Sequence, residues 1–557
     1  MTDTVRILKD IVAGLPQTDG VMSAHLNPVE QVLCVDNVVN PTSLQAHLAL
    51  LRWLDGLEIP DKMLDTIYLV KAELRYLHWL NYLNQRKPTQ QEMIVPPIDV
   101  ACIWHAHLLS PYRYYEDLLR LYPTSEHMLD YVFPLEKLHK VIASGYQIDL
   151  PSEITWLEYT GNEPYVLALN DITTRLVAFS CPWCSKQSEI QWETWARVKT
   201  QKGLSFRCQH CTAKCNADTL SGRRFLDDVA LYRRDRTRFL AGGIITTRKG
   251  TYEEDKIMVE HQMLLLDHEA KWHSQLANGK SWQNCEWKKI VPTLKAVVKE
   301  LKQERKDTKF RKLTVGRIRG SYMGLITPFS IDLVAAVVRQ RDFSSKIIGV
   351  NIDSQEGLAA SVRRYFMFLM LMKKYWYSNE SFIPTLDIDL AWHTHMLFAP
   401  RYRAYTTAAL SRVTNHDDTI KKGKLDGSLV KTSLKWYQLY KEPYTSENLV
   451  LDFMANILRH HHAAVRDLGN LYGDQTAEGV APPSFEREDG ILADHDLMCY
   501  TQSPVSPCDR ACGAGAGDMA YTIYIVDTGN GYCDGGGCSS VTKAGLCEAD
   551  TAGDHGH

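Results

Sequence analysis

Asp99-Val-Ala-Cys-Ile-Trp-His-Ala-His-Leu-Leu109 returns 288 positions later as Asp387-Ile-Asp-Leu-Ala-Trp-His-Thr-His-Met-Leu397. Tryptophan and histidine are scarce, so two copies of Asp-x5-His-x-His with Trp104 and Trp392 ahead of the first histidine signal an internal duplication. Finding a repeat comes before any fold assignment. The likeness continues upstream. Pro41-Thr-Ser43 and its apolar-periodic run to Arg52 match Pro328-Phe-Ser330 and Ile331 to Arg339, and Ala72-Glu-Leu-Arg75-Tyr76 echoes Ala360 to Tyr365. Each copy is about 75 residues of one supersecondary pattern. Two copies are too few for a solenoid, so the modules are expected to pack on each other.

A chain of 557 residues exceeds what one core supports, which predicts several domains. Hydrophobic and charged fractions of 45% and 23% are ordinary for a globular protein, and a formal charge of -3 gives no global case for nucleic acid. The first residues lack an apolar core of signal-peptide length, and the longest notable apolar run, Phe366 to Met372, is too short to span a bilayer. The expectation is an intracellular protein without a membrane partner, cytoplasmic and also nuclear.

Of 14 cysteines, four form Cys181-Pro-Trp-Cys184 and Cys208-Gln-His-Cys211, with 23 residues between the pairs. Two such knuckles supply four thiolates to a tetrahedral ion, and the intervening length suits a closing hairpin, so a structural zinc is expected at Cys181, Cys184, Cys208 and Cys211. Cys215 also stands at workable spacing to replace one ligand. The alternative reading of a lone Cys-Pro-Trp-Cys is a redox pair, which the second knuckle argues against. A zinc module identifies no activity by itself.

The fold expected is mainly α with a small β-rich zinc-ribbon insertion, two homologous helical modules packed together and a disordered C-terminal tail. Ser43 to Leu57 and Lys62 to Leu83 carry leucines at helical spacing. Asp99 follows Pro96-Pro97 as a plausible N-cap of the first Trp–His block. Tyr159 to Phe225 reads as β-rich, with Glu189-Ile-Gln-Trp and Leu204-Ser-Phe-Arg as strands. Glu253 to Glu304 returns to helical periodicity. These features divide the chain into a first module (1–150), a zinc-ribbon-like domain (151–230), a basic helical connection (231–325), a second module (326–465) and a Gly/Cys-rich tail (466–557). Gly513 to Gly556 holds 11 glycines, and such composition does not repay the cost of ordering. Met519 to Asp527 is its one strand-like island. The tail cysteines lack paired spacing.

Chemistry must be decided at the blocks. On a strand, His105 and His107 would share a face and chelate one ion. On a helix, residues i and i+2 diverge and look to different neighbours. The flanking prolines favour the helix, on which Asp389 and His393 become an i,i+4 pair with no counterpart at Ala101. Three readings follow. The tryptophans are core anchors whose histidines hydrogen-bond across the modules. Alternatively, His105, His107, His393 or His395 with Asp99 or Asp387 builds a catalytic metal site of an oxygenase or hydrolase. A pocket between the modules would instead take a small ligand.

The two blocks, the run Pro328 to Gln340, Asn415-His-Asp-Asp418, and Trp436 with Glu442-Pro-Tyr444 together resemble the glycine-rich domain-containing protein family, over roughly Pro41 to Tyr444. The resemblance implies a cytosolic protein with a large domain of unknown function and a glycine-rich tail, associated with stress responses and growth. Local charge adds a further class. Lys288 to Arg319 holds 12 basic against three acidic residues, and Arg233 to Arg238 adds another cluster. RNA or DNA binding through the zinc ribbon and this segment is an alternative. The leading expectation is a zinc-stabilised binding or scaffold protein with a protein partner.

Overall fold

In the computed structural model the chain is described at residues 35–57, 59–161, 163–169, 176–235, 237–242, 277–278, 281–282, 284–304, 308–350, 352–375, 382–418, 422–440, 444 and 525–526. Among these residues it is mainly helical. The first half runs α1 (Pro41–Asp55), α2 (Lys62–Arg86), α3 (Ile98–Leu108), α4 (Pro111–Leu121), α5 (Leu135–Ala143) and α6 (Leu150–Thr160). There follow β1 (Leu176–Ser180), β2 (Gln187–Gln191), α7 (Trp192–Thr200), β3 (Phe206–Arg207), β4 (Lys214–Cys215) and α8 (Ala217–Arg234). Beyond the two-residue hairpin β5 (Ala277–Asn278) and β6 (Ser281–Trp282) come α9 (Trp287–Glu304) and α10 (Thr308–Tyr322). The second half is α11 (Leu333–Ile348), α12 (Gln355–Lys374), α13 (Leu386–Met396), α14 (Ala399–Leu410), β7 (His416–Asp417) and α15 (Lys422–Tyr440); β8 (Ile525–Val526) pairs antiparallel with β7. Among the described residues no helix is long and apolar enough to cross a membrane.

Both Trp–His blocks are helices, α3 and α13, as the flanking prolines predicted. Asp99 does not cap its helix. Pro97 holds that position with no side-chain bond, because the Asp99 carboxylate is taken by the Arg75 guanidinium at 2.6 Å. The segment expected to be β-rich, Tyr159 to Phe225, is a mixture instead: two antiparallel hairpins, β1–β2 and β3–β4, alternate with α7 and α8. Trp192, Trp195, Ala196 and Lys199 recur at helical spacing and bury one face of α7 against α2, and that burial overrides the strand-forming tryptophans. Within Glu253 to Glu304, the described residues hold the β5–β6 hairpin and then α9 from Trp287, as helical periodicity predicted for that part; the stretch before Ala277 lies outside the described residues. The expected flexible tail lies outside the described residues apart from β8.

Equivalent contacts recur in the two halves. Trp104 Nε1 donates to Tyr114 Oη at 3.3 Å and Trp392 Nε1 to Tyr402 Oη at 2.9 Å. Arg75 Nε meets Asp99 Oδ2 at 2.6 Å and Arg364 Nε meets Asp387 Oδ2 at 2.6 Å. The Arg75 guanidinium covers the Trp156 ring and that of Arg364 covers Trp436. Each arginine also donates to the carbonyl of a tyrosine, Tyr165 or Tyr444, whose hydroxyl donates to Val95 O or Ile383 O. Those tyrosines end Glu163-Pro-Tyr165 and Glu442-Pro-Tyr444, a second matched motif.

The halves are interleaved rather than merely apposed. Helices α1 and α11 pack on each other. Leu44, Leu48 and Leu51 of α1 join the core around Trp392, while Ala46, Leu50 and Leu54 join the core around Trp104. Reciprocally, Leu333, Val334 and Val337 of α11 enter the first core and Phe343 and Ile347 the second. Phe329 stacks on Tyr76, and Ser330 N donates to Asp117 Oδ2 at 2.8 Å, tying the Pro-Phe-Ser segment to α4 of the first half. A third cluster joins α8, α9 and α10 through Phe225, Trp287 and Tyr322. There a Cβ on Gly222 would stand 1.8 Å from the Cys285 carbonyl oxygen, so only glycine lets α8 pass.

Tyr402→Phe should lower stability more than Tyr114→Phe. Tyr402 Oη accepts from the buried Trp392 indole and donates to Thr414 O at 2.8 Å, so its loss strands a buried donor and a carbonyl. The expected cost is about 1–3 kcal/mol, read as a shift in the denaturant midpoint. Equal shifts for the two variants would contradict the assignment.

Candidate metal centre and the tryptophan–histidine blocks

The cysteine knuckles are two copies of one turn. Ser185 N donates to Cys181 O and Thr212 N to Cys208 O, both at 3.0 Å, with Ser185 and Thr212 in the left-handed region at φ 61° and 56°. Each first cysteine donates its own N–H at 3.0 Å, to Lys186 O or Ala213 O, and the sulfur accepts from the amide two residues on: Trp183 N at 3.4 Å to Cys181 Sγ, His210 N at 3.3 Å to Cys208 Sγ. These turns bring Cys181 Sγ within 3.7 Å of Cys211 Sγ and Cys184 Sγ within 3.8 Å of Cys208 Sγ. All four sulfurs lie within 4.8 Å of one another, a set that can hold a metal ion. Burial pushes the Cys208 thiol up, but the amides of Cys211 and His210 and the neighbouring thiols outweigh it and bring the group to about 6, while burial and the neighbouring sulfurs hold Cys181 and Cys211 up at about 11 and 12, so that without an ion one thiolate is shared within the set. Cys215 lies outside the four-sulfur group, its Sγ turned to Ala213 O at 3.7 Å.

The histidines divide as a helix requires. His107 faces Tyr76 Oη through Nδ1 at 3.1 Å and Asp117 Oδ2 through Nε2 at 3.3 Å. His395 faces Tyr365 Oη through Nδ1 at 3.0 Å and Asp36 Oδ2 through Nε2 at 3.7 Å. Both carboxylates are held as anions. Burial pushes the Asp117 carboxyl up, but His107, Arg120 and the Ser330 amide hold it below its ordinary range; burial likewise raises Asp36, but His395 and Arg401 bring it to about 2.

His105 and His393 turn instead to the junction of the halves, where His47 of α1 joins them. The Thr394 hydroxyl donates to Leu390 O at 2.7 Å, so its oxygen accepts from His47 Nδ1–H at 2.9 Å. Neutral His47 then offers its Nε2 lone pair to His105 Nε2–H, 2.9 Å away. The first block is thereby connected to the second through one imidazole. Across the same junction, His416 Nδ1–H donates to Leu109 O at 2.8 Å, and its Nε2 stands 3.1 Å from His393 Nε2. Asp389 Oδ1 lies 3.2 Å from His393 Nε2. Asp389, His393 and His416 place one ligand atom each within 4.8 Å of one another, and all three are buried.

Of the sequence candidates, then, His105 and His393 converge on the junction. Asp99, Asp387, His107 and His395 do not; they are engaged with arginines, tyrosines and carboxylates, within their own half except where His395 meets Asp36. His47 and His416 were not among the candidates. His47 is a single histidine on a leucine-rich helix and left no signal. His416 sits in the Asn-His-Asp-Asp motif, and Asp389 showed only as the i,i+4 partner of His393.

Burial holds the His105 imidazole down to about 3 and the His47 imidazole well below its ordinary value. Unfolded, each titrates near 6.5, so between those values the folded chain binds fewer protons than the unfolded one. The stability these groups confer is whole above pH 6.5 and is lost as the pH falls from there toward 3, by up to about 1.4 kcal/mol per pH unit for each imidazole. Urea midpoints at pH 7.5, 6 and 5 should fall in that order, and a flat series would refute the assignment.

The family model described as glycine-rich domain-containing protein-like matches residues 59–117 and 251–404, which include both Trp–His blocks. Glycine-rich domain-containing protein 2 of Arabidopsis thaliana is 32% identical over 189 residues, covering 32% of this chain and 22% of that protein. Glycine-rich domain-containing protein 1 of the same plant is 34% identical over 119 residues, covering 20% of this chain and 14% of its own length. The matched segments thus span about a fifth or less of these relatives. No solved structure matches the chain. Over the segments that hold its two Trp–His blocks, this chain is similar to the glycine-rich domain-containing protein-like family.

Proposed function

We propose that this protein is an intracellular binding or scaffold protein whose duplicated halves form one interleaved helical body with a structural zinc at Cys181, Cys184, Cys208 and Cys211. The sulfur spacing carries the zinc reading. Four thiolates at about 2.3 Å from a tetrahedral zinc stand about 3.8 Å apart. The observed 3.7 and 3.8 Å match that edge, against about 2.05 Å for a disulfide. Purified protein should carry zinc at this site, and Cys184→Ser should remove it. Zinc content unaffected by that change would overturn the assignment.

The scaffold reading rests on how the block side chains are used. Asp99, Asp387, His107 and His395 are buried and each is engaged by an internal partner, the arrangement of joints rather than of a substrate-facing site. Apolar side chains are left in solvent along this part of the chain: Leu150, Ile154, Val166, Leu169 and Leu204 are all exposed. Leu150 and Ile154 stand one turn apart on α6 and offer a contact to a protein partner. Cross-linking of the tagged full chain in cells should map partner sites to residues 146–204 and lose them in a Leu150→Asp, Ile154→Asp variant that keeps its melting temperature. An unchanged cross-link map would remove this surface from the proposal.

A further inference from the structure

Three of the buried aspartates near the blocks have an arginine: Asp99 has Arg75, Asp387 has Arg364 and Asp117 has Arg120; the partly buried Asp36 has Arg401. Asp389 has none among the described residues. Its Oδ1 is sealed from water and accepts no hydrogen bond, although it lies 3.2 Å from His393 Nε2. An unneutralised carboxylate in such a place is costly, so it is either protonated or bound to a cation.

The neighbours favour the cation. Because His416 Nδ1–H is spent on Leu109 O, neutral His416 carries its lone pair on Nε2, and that atom points at His393 Nε2. Two donors bound cis at about 2.1 Å to one ion stand about 3.0 Å apart in octahedral geometry and about 3.4 Å in tetrahedral. The separations about His393 Nε2, 3.1 Å to His416 Nε2 and 3.2 Å to Asp389 Oδ1, fall within that interval. The first block has no equivalent set, since Ala101 replaces Asp389 and its histidine meets His47.

We propose that Asp389, His393 and His416 form a second metal centre for a first-row divalent ion of borderline softness, such as Fe2+, Co2+ or Zn2+, selected by two imidazoles and one carboxylate. The ion neutralises Asp389 and fastens the His416 strand to α13. Its ligands come from the second half alone, and Phe343 and Trp392 close over the imidazoles. The site is independent of the cysteine cluster.

Titration of the metal-stripped full chain with Co2+ tests this, because thiolate and nitrogen/oxygen ligands give different spectra. One equivalent should bring sulfur-to-cobalt charge-transfer bands, and a second should bring ligand-field bands with no added charge transfer. Asp389→Asn and His416→Gln, measured separately, should abolish the second equivalent and keep the first. Wild-type protein that saturates at the thiolate site alone would show a hydrogen-bonded triad and overturn the proposal, even if both variants fail to fold. Loss of the charge-transfer equivalent with the second retained would count against the cysteine site only.

Discussion

Cys208→Ser should strip the cysteine cluster of its metal and unfold the segment from β1 to β4. The unit has little else to hold it. Strands β3 and β4 are two residues each, and β1 buries only Val177 and Phe179. Structural zinc supplies folding free energy of about 10 kcal/mol in small zinc modules. Here the loss should be several kcal/mol, because Phe179, Trp195 and Cys181 also pack into the first core and retain part of their burial. Hydrogen exchange should show protection lost across residues 176–215 while the amides of α3 and α13 stay protected, and a chelator should reproduce the effect in the wild type. Cys215→Ser is the control, since that thiol stands outside the four-sulfur group and its replacement should leave the metal in place. A Cys208→Ser variant with wild-type metal content and exchange would refute the zinc role.

The features legible in the sequence were those that depend on local spacing. The helical state of the blocks followed from prolines and periodicity, and the convergence of four cysteine sulfurs followed from two Cys-x2-Cys pairs, because both are determined within a few turns of chain. The exchange of α1 and α11 between the cores was not legible. Leu44, Leu48 and Leu51 read as one apolar face and Ala46, Leu50 and Leu54 as another, and nothing local says that the two faces serve different halves. The second matched motif, Glu-Pro-Tyr, is three residues long and gains meaning only when Arg75 and Arg364 are seen donating to its tyrosine carbonyls. His47 escaped for the same reason, since its partners lie 58 and 347 positions away. The expected strand Glu189-Ile-Gln-Trp held over Glu189 to Gln191 in β2 and ended at Trp192, which opens α7, because β propensity describes a half-buried pleated surface whereas the tryptophans from there on meet a helix.

Lys199→Met should destabilise the protein by about 3–5 kcal/mol, the cost of leaving one member of a buried ion pair alone. Lys199 extends from α7 to Glu73 Oε2 of α2 at 2.8 Å, with the N-cap Asp332 of α11 at 3.8 Å. One ammonium thus links the cysteine unit, the first half and the leading helix of the second. Burial raises the Glu73 carboxyl above its ordinary range even with Lys199 present, so the variant will take up a proton there and its midpoint should worsen from pH 5 to pH 8. The sign follows because the folded variant then binds a proton that the unfolded chain, titrating near 4.3, has released. Glu73→Gln in the same background removes the stranded charge and should recover part of the loss, giving a coupling free energy in a double-mutant cycle. The exposed pair Lys140–Glu136, at 2.8 Å but 74% and 82% accessible, makes the comparison, and Lys140→Met should cost at most about 0.5 kcal/mol. Equal effects at the two lysines would mean that Lys199 is hydrated in solution and that α7 does not lock the halves together.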